Sequence, residues 1–404
     1  MKTGRESSLR TERQKLDAEA SPVQRTRSIA KITEVLLSVR AGGRCEFVGC
    51  NKFLFEHPLT RRKGNFSEKA HIVAFSADGP RGKTAPRPKD IHSIENLMFL
   101  CKDCHNEIDL HPTNYPKAVL LQYKHAHEKR IHHLTGLGPD QRTFVVQLTS
   151  RIAGDAVDIP APDIYSAISP RYPAQTEGLI IDLREFKSDD VDEYYRMAQI
   201  EIRRETKKLY DPQLDVEPAQ HISLFAIAQI PVLVFLGRCL SNKIAVDFFQ
   251  RHRTEQNPWK WPEDGELAQY ELLLVQKGSD TSSVALKLSL SGPITNEKLP
   301  TSVDEKFSIY EITLKNMPPG TDFLRKRSDL EAFRRLYREM LAQIRGKHPT
   351  AEVIYVFPAV PAPIAVSCGY DLLPKVDPAL LIYDFVKDLG GFIKRIEVND
   401  NGPQ

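Results

Sequence analysis

The sequence predicts an α+β domain stapled by four cysteines, followed by an α/β domain built of two tandem halves. Three observations carry this reading. Cys45 and Cys50 form one close pair and Cys101 and Cys104 another, with 50 residues between the pairs. Beyond about residue 166, strand-like and helix-like segments alternate, the pattern of layered and largely parallel sheets. Within that region a spacing recurs: Pro231, Gly237 and Leu240 in one place, and Pro363, Gly369 and Leu372 in another. Each set follows an apolar strand and leads to a strand ending in Asp-Phe, Asp247-Phe248 and Asp384-Phe385, so the halves read as related.

Taken in order, residues 1–24 read as a polar tail and residues 25–135 as the first domain. Ile29, Ile32, Val35 and Leu36 lie at helical spacing, and Gly42-Gly43 ends that helix. Residues 44–50 form a compact knuckle in which Gly49 permits a tight turn. Residues 69–74 read as a short strand entering a basic, turn-rich loop at 78–83, and residues 92–100 return the chain to Cys101. Pro116 opens a helix reaching about Ile131. Its Lys124, His125, His127, Lys129 and Arg130 read as a solvated basic face. A linker is expected over 136–165, which includes the Pro-rich stretch Asp158-Ile-Pro-Ala-Pro-Asp. In the second domain, 166–404, strands are expected at 178–184, 221–228, 244–249, 270–276, 284–290, 307–314, 353–357 and 380–385. Helices are expected at 190–210, 231–241 and 328–345, with another from Pro363.

With 404 residues the chain can bury two or three real cores. No apolar run approaches the roughly 20 residues that span a bilayer, and the N-terminus lacks the apolar core of a secretory signal, so an intracellular, cytoplasmic protein is expected. Six cysteines, four of them in two tight pairs, suit a reducing compartment with one metal site better than disulfides. The net charge of +3 conceals an asymmetry. Residues 1–135 hold 24 Lys and Arg against 15 Asp and Glu, and the remainder 32 against 38. A basic front half suits contact with a phosphate backbone, and equally suits solubility alone.

Four cysteines in two close pairs suit tetrahedral Zn²⁺. A redox Cys-x-x-Cys would leave Cys45 and Cys50 unexplained and lacks a thioredoxin-like βαβ context. The segment Cys45–Asp109 resembles the HNH, or ββα-metal, endonucleases through Cys45, Cys50, Ala70-His71-Ile72, Asn96-Leu97, Cys101, Cys104 and His105. The resemblance implies a hairpin and a helix around one catalytic divalent metal. It makes His71 the general base, Asn96 the residue that orients it, and His105, nine residues after Asn96, a metal ligand. Asp109, four residues on and on the same helix face, is a candidate second ligand. Many members carry Asp or His where this chain has Ala70, so solvent or substrate phosphate must complete the site. That fits Mg²⁺, which retains several waters. The chemistry is coherent without the family: a neutral imidazole can deprotonate water, and a divalent ion stabilises phosphoryl charge.

The region from about 165 to 400 resembles the SAVED domain, a sensor of two tandem CARF-like (Rossmann-like) halves. The resemblance rests on residues 221–226 with Pro231, Leu236-Gly237, Val246-Asp247, residues 250–253, Trp259-Lys260-Trp261, residues 288–292, Phe357-Pro358-Ala359 with Pro361, and Tyr383-Asp384. Together the two parts resemble HNH–SAVED effectors of bacterial CBASS antiphage systems. This implies a cyclic di- or trinucleotide activator, homo-oligomeric assembly and degradation of double-stranded DNA. In open α/β sheets ligands bind beyond the carboxyl ends of strands. On that ground Arg251 and Arg253 are candidate phosphate contacts, and Ser291 and Gly292 candidate pocket residues. Trp259 and Trp261 are either base-stacking or core residues. No Walker-type loop is present. A constitutive nuclease with an oligomerisation domain, and a non-catalytic DNA-binding regulator, are the alternatives.

Overall fold

The computed structural model describes residues 28–152, 155–175, 178–186, 190–210, 220–240 and 243–398. The expected tail, 1–24, lies outside them. The chain divides into two compact units at Leu137 and Gly138.

The first unit is built on a short antiparallel hairpin, β1 (Ser67–His71) with β2 (Leu97–Cys101), in which Ala70 faces Met98 and His71 faces Leu97. All five residues of β2 are buried, as an apolar run demands. Three helices surround it: α1 (Lys31–Arg40), α2 (Lys102–Leu110) and α3 (Lys117–Thr135). Leu37, Ile72, Leu97, Met98, Leu100, Ile108 and Leu120 form one core. One expectation fails here. Lys124 and His127 are not on a solvated face but buried. Lys124 Nζ lies 2.6 Å from Glu128 and 3.8 Å from Glu46, and His127 Nε2 lies 3.0 Å from the Ala41 carbonyl oxygen. The buried Glu46 carboxylate accepts from Phe99 N at 2.7 Å, which joins the cysteine knuckle to β2, and burial pushes its pKa up to about 7. Buried charge persists only with such partners.

Among the described residues the second unit holds two large sheets. The first begins at β3 (Arg142–Thr149), inside the stretch expected to be a linker. Its alternating Phe144, Val146 and Leu148 carry the strand signal that the later Pro-rich stretch outweighed. A small hairpin follows, β4 (Arg151–Ile152) with β5 (Asp155–Ala156), then α4 (Ala161–Ile168). β3 pairs in parallel with β6 (Tyr172–Pro173) and β7 (Leu179–Asp182) on one side, and with β8 (His221–Ile227) on the other. β9 (Ala245–Phe249) completes the sheet. Helices α5 (Val191–Lys207) and α6 (Ile230–Leu240) belong to this half.

The second sheet runs in the order β10 (Tyr270–Gln276), β12 (Ser308–Leu314), β11 (Val284–Ser289), β13 (Val353–Ala359), β14 (Ala379–Val386), β15 (Gly391–Val398). Its four central strands are parallel and both edges antiparallel. Helices α7 (Arg327–Lys347) and α8 (Ala362–Tyr370) accompany it.

Helices of the two sheets meet where α6 and α8 touch backbone to backbone. A Cβ on Gly237 would lie 1.9 Å from the Val366 carbonyl oxygen, and one on Gly369 would lie 1.9 Å from that of Val234. The contact is reciprocal, and it uses the very glycines that recur in the sequence. Only glycine permits this approach, because the obstructing atoms are main chain and cannot yield. Gly237→Ala or Gly369→Ala should therefore lower the stability of the second unit by about 3 kcal/mol or more, read from the urea midpoint. Gly346→Ala, in α7 with open space around its Cβ position, should instead raise stability by about 0.5–1 kcal/mol.

Candidate metal centres and a strand-end pocket

Four sulfur atoms converge in the first unit. The Sγ atoms of Cys45, Cys50, Cys101 and Cys104 all lie within 4.8 Å of one another, and those of Cys50 and Cys101 are 3.9 Å apart. A tetrahedral zinc with bonds of about 2.3 Å would place sulfurs about 3.8 Å apart, so the donor set fits that ion. Cys101 N donates to Cys45 Sγ at 3.3 Å. Burial pushes the Cys45 thiol up to about 12 and raises that of Cys104 as well. Burial raises the Cys101 thiol too, but hydrogen bonds from Cys104, Cys50 and Cys45 outweigh it and lower its pKa.

The hairpin and α2 bring His71, His105 and Asp109 into one neighbourhood. His71 Nε2 lies 3.2 Å from Nδ1 of His92, whose ring stacks on Phe75. Burial lowers the His71 pKa below the ordinary imidazole value, and His92 and His105 lower it further. His92 reads from sequence as a loop residue of no assigned role. Only the folded loop shows it against His71, and no local motif marks it.

Asn96 does not touch the His71 ring. It is buried, accepts from Val73 N at 3.0 Å, and donates to the carbonyls of Val73 and Ile91 at 3.0 and 2.9 Å. It thus holds the main chain just beyond His71, while His92 meets the imidazole itself.

His105 Nε2 lies 3.4 Å from Asp109 Oδ2, and Nδ1 lies 4.0 Å from Glu68 Oε2. Asp109 Oδ1 accepts from Arg81 at 2.8 Å. Arg81 is buried, and also donates at 2.6 Å to the carbonyls of Ile72 and Ile108. The loop read as turn-rich and basic therefore sends one arginine inward as a brace between β1 and α2. Burial raises the Asp109 pKa, but hydrogen bonds from His105 and Arg81 outweigh it and keep the carboxylate ionised. Ala70 is fully buried and offers no ligand. Among the described residues, only the cysteine cluster gathers three or more metal-binding side chains. The His105–Asp109 pair suits a hydrated hard cation such as Mg²⁺, not a closed cage.

In the second unit a cavity of 450 Å³ opens at the carboxyl ends of strands from both sheets. It is lined by residues 226–228 at the end of β8, 250–254 after β9, Ser291 after β11 and 360–362 after β13. Ser291 N donates to Ala359 O at 2.7 Å, which ties two of these ends together. Arg251 and Arg253 line it and are exposed. Among the described residues, His252 Nε2 and Gln250 Oε1 are buried without a hydrogen-bond partner, and burial followed by the Arg325 charge lowers the His252 pKa.

The tryptophans are elsewhere. Trp259 packs edge-on to Phe225, and Trp261 Nε1 donates to Phe248 O at 3.2 Å. They are 2% and 4% exposed, so the base-stacking option fails and they are core. Gly292 does not line the cavity.

Comparison with known families finds a match in each unit. Residues 45–111 match the model of the HNH endonuclease family, and residues 202–398 match that of the SMODS-associated and fused to various effectors sensor domain, SAVED. The chain joins an HNH domain to a SAVED domain. This HNH–SAVED chain is also similar to solved SAVED/CARF-domain receptors. One is Acinetobacter baumannii Cap4 with the cyclic trinucleotide 2'3'3'-cAAA, at 10% identity and a TM-score of 0.44, covering 74% of this chain and 60% of that one. The same receptor with 3'3'3'-cAAA gives 9% identity, 0.43, 73% and 62%. Moraxella osloensis Cap4 gives 8%, 0.40, 73% and 60%. The HNH–SAVED chain thus spans about 60% of the length of these receptors. No curated protein matches its sequence. Among the described residues no helix is long and apolar enough to cross a membrane.

If the cysteine cluster holds zinc, Cys104→Ser should abolish the single zinc ion per chain measured by elemental analysis. It should also lower the melting temperature of the HNH unit, because the knuckle would lose its tie to β2.

Proposed function

We propose that this protein is a metal-dependent endonuclease, activated by a cyclic di- or trinucleotide, that degrades double-stranded DNA in bacterial antiphage defence. The observation that carries the reading is His71, held against His92 at 3.2 Å beside the His105–Asp109 pair, in a chain that also has a cavity at its sensor's strand ends.

His71 acts as the general base. When Nε2 donates to His92 Nδ1, the Nδ1 lone pair is free to take a proton from water. Asn96 positions this group through the Val73 main chain, and Arg81 holds Asp109 ionised and fixes β1 to α2. His105 and Asp109 hold the catalytic cation, which when bound stabilises charge on the phosphoryl and leaving oxygens. The four cysteines hold a structural zinc.

The SAVED part is read as two Rossmann-like halves in tandem, a reading supported by the reciprocal glycine contact. Because the halves differ in sequence, the cavity between their strand ends is asymmetric. Gln250, Arg251, His252, Arg253 and Ser291 recognise the activator there, the arginines through phosphate and the buried amide and imidazole through base edges. The active form is a homo-oligomer assembled on ligand binding in the cytoplasm. The HNH part occupies 25–135, and the sensor begins at β3.

The test is cleavage of plasmid DNA with Mg²⁺, with and without a panel of cyclic di- and trinucleotides. Cleavage that requires one of them supports the gate. Cleavage without any indicates a constitutive nuclease, and retarded but intact DNA a binding regulator. His71→Ala should reduce activated cleavage by at least about a hundredfold with zinc content and circular dichroism unchanged. Undiminished cleavage by a clean preparation would remove His71 from its role.

The lowered His71 pKa has a definite sign. A base must be neutral to act, so the acid limb of kcat/KM should fall below the ordinary imidazole value of about 6.5. A limb above that value would assign the titration to another group.

A further inference from the structure

A second cavity in the HNH unit, of 730 Å³, lies at the opposite end of the β1–β2 hairpin from His71. Phe66 and Cys101 line it, beside the Ser67–Cys101 pair, whereas His71 pairs with Leu97 at the far end. Two features mark it. Phe53 and Phe66 line it while remaining 46% and 43% exposed. Four cationic side chains, Arg44, Lys52, Arg61 and Lys102, also line it, against two carboxylates. Lys52 and Arg61 are each paired with one of these acids, at 3.0 and 2.8 Å. The Arg44 guanidinium lies 5.6 Å from the Phe53 ring centroid. Lys102 has no side-chain partner among the described residues. Part-exposed aromatic rings among surplus cations, with Arg44 over Phe53 and His57 edge-on to Phe66, match a base or sugar that packs on them and phosphates that pair with charge.

The position agrees with that chemistry. His105 stands three residues after Lys102 on α2, about 4.5 Å along the axis. His71 stands four residues after Ser67 on β1, about 13 Å away. With about 3.4 Å between nucleotides along a strand, the cavity lies about one to four nucleotides from the phosphate that His71 and His105 would address. We propose that it is a substrate subsite, holding a nucleotide that flanks the cut: Phe53 and Phe66 stack on its base or sugar, and Lys102 and Arg44 meet its phosphates. The proposal rests on the nuclease reading and adds a positioning site to it.

The test uses full-length protein carrying His71→Ala, so that DNA stays intact. Anisotropy of a short fluorescein-labelled duplex is titrated over a salt series, with whichever cyclic nucleotide of the panel supports binding. Phe53→Ala with Phe66→Ala should weaken binding about five- to a hundredfold and leave the salt slope unchanged. Lys102→Ala should reduce that slope by about one. Equal affinity and equal slope in both variants, in protein that still binds DNA, overturn the subsite alone. Absence of DNA binding by the parent overturns the nuclease reading and the subsite together. If the phenylalanine variant loses its zinc, the Lys102→Ala slope decides, since that side chain is exposed and its removal leaves the fold intact.

Discussion

Four sulfur atoms within 4.8 Å of one another impose the condition on which the HNH unit depends. Buried thiols resist ionisation, and thiolates so close repel, so the cluster is stable in its ligating form only around a cation. Its consequences reach beyond the cluster. Cys45 and Cys50 belong to a knuckle that has no regular structure of its own, while Cys101 ends β2 and Cys104 lies in the first turn of α2. A cation joining them would fix where α2 begins, and α2 carries His105 and Asp109. The Glu46–Phe99 hydrogen bonds repeat the same tie in protein atoms. Arg81 then closes the other end, bridging Ile72, Ile108 and Asp109. A small unit with one modest core is held by these cross-links where a larger core would otherwise be needed.

The SAVED unit is organised by a different constraint, the main-chain contact of α6 and α8. Two helices that each surrender a side chain at the crossing bring their preceding strands, β8 and β13, to a common edge. The cavity is lined by the ends of these strands together with those of β9 and β11. It leaves Gln250 and His252 with buried polar atoms unsatisfied, a cost that a polar ligand would relieve. Stability at the helix crossing and unmet polarity at the strand ends are two sides of one arrangement.

Much of this was legible in sequence. The cysteine spacing announced a four-sulfur site, and the repeated Pro-Gly-Leu spacing marked the two helices that meet. Strand periodicity located most of both sheets, with Tyr270–Gln276 matching to the residue. What escaped has a physical pattern. β3 was hidden in an expected linker because the Pro-rich stretch that follows it outweighed its alternating apolar residues. Trp259 and Trp261 looked available for stacking because composition does not reveal burial. Lys124 read as solvated because its acids, Glu46 and Glu128, include one 78 residues away.

Residue chemistry at short separation is what the sequence by itself determined: sulfur pairs, an imidazole nine residues from an asparagine's turn, the glycines that permit close approach. These follow from covalent spacing and helix or strand period. Tertiary structure alone decided which groups face each other across loops. It set His92 against His71, turned Arg81 inward onto Asp109, and opened a cavity between strands whose ends lie more than a hundred residues apart. Such contacts depend on the global minimum of packing and desolvation, and no local rule encodes them.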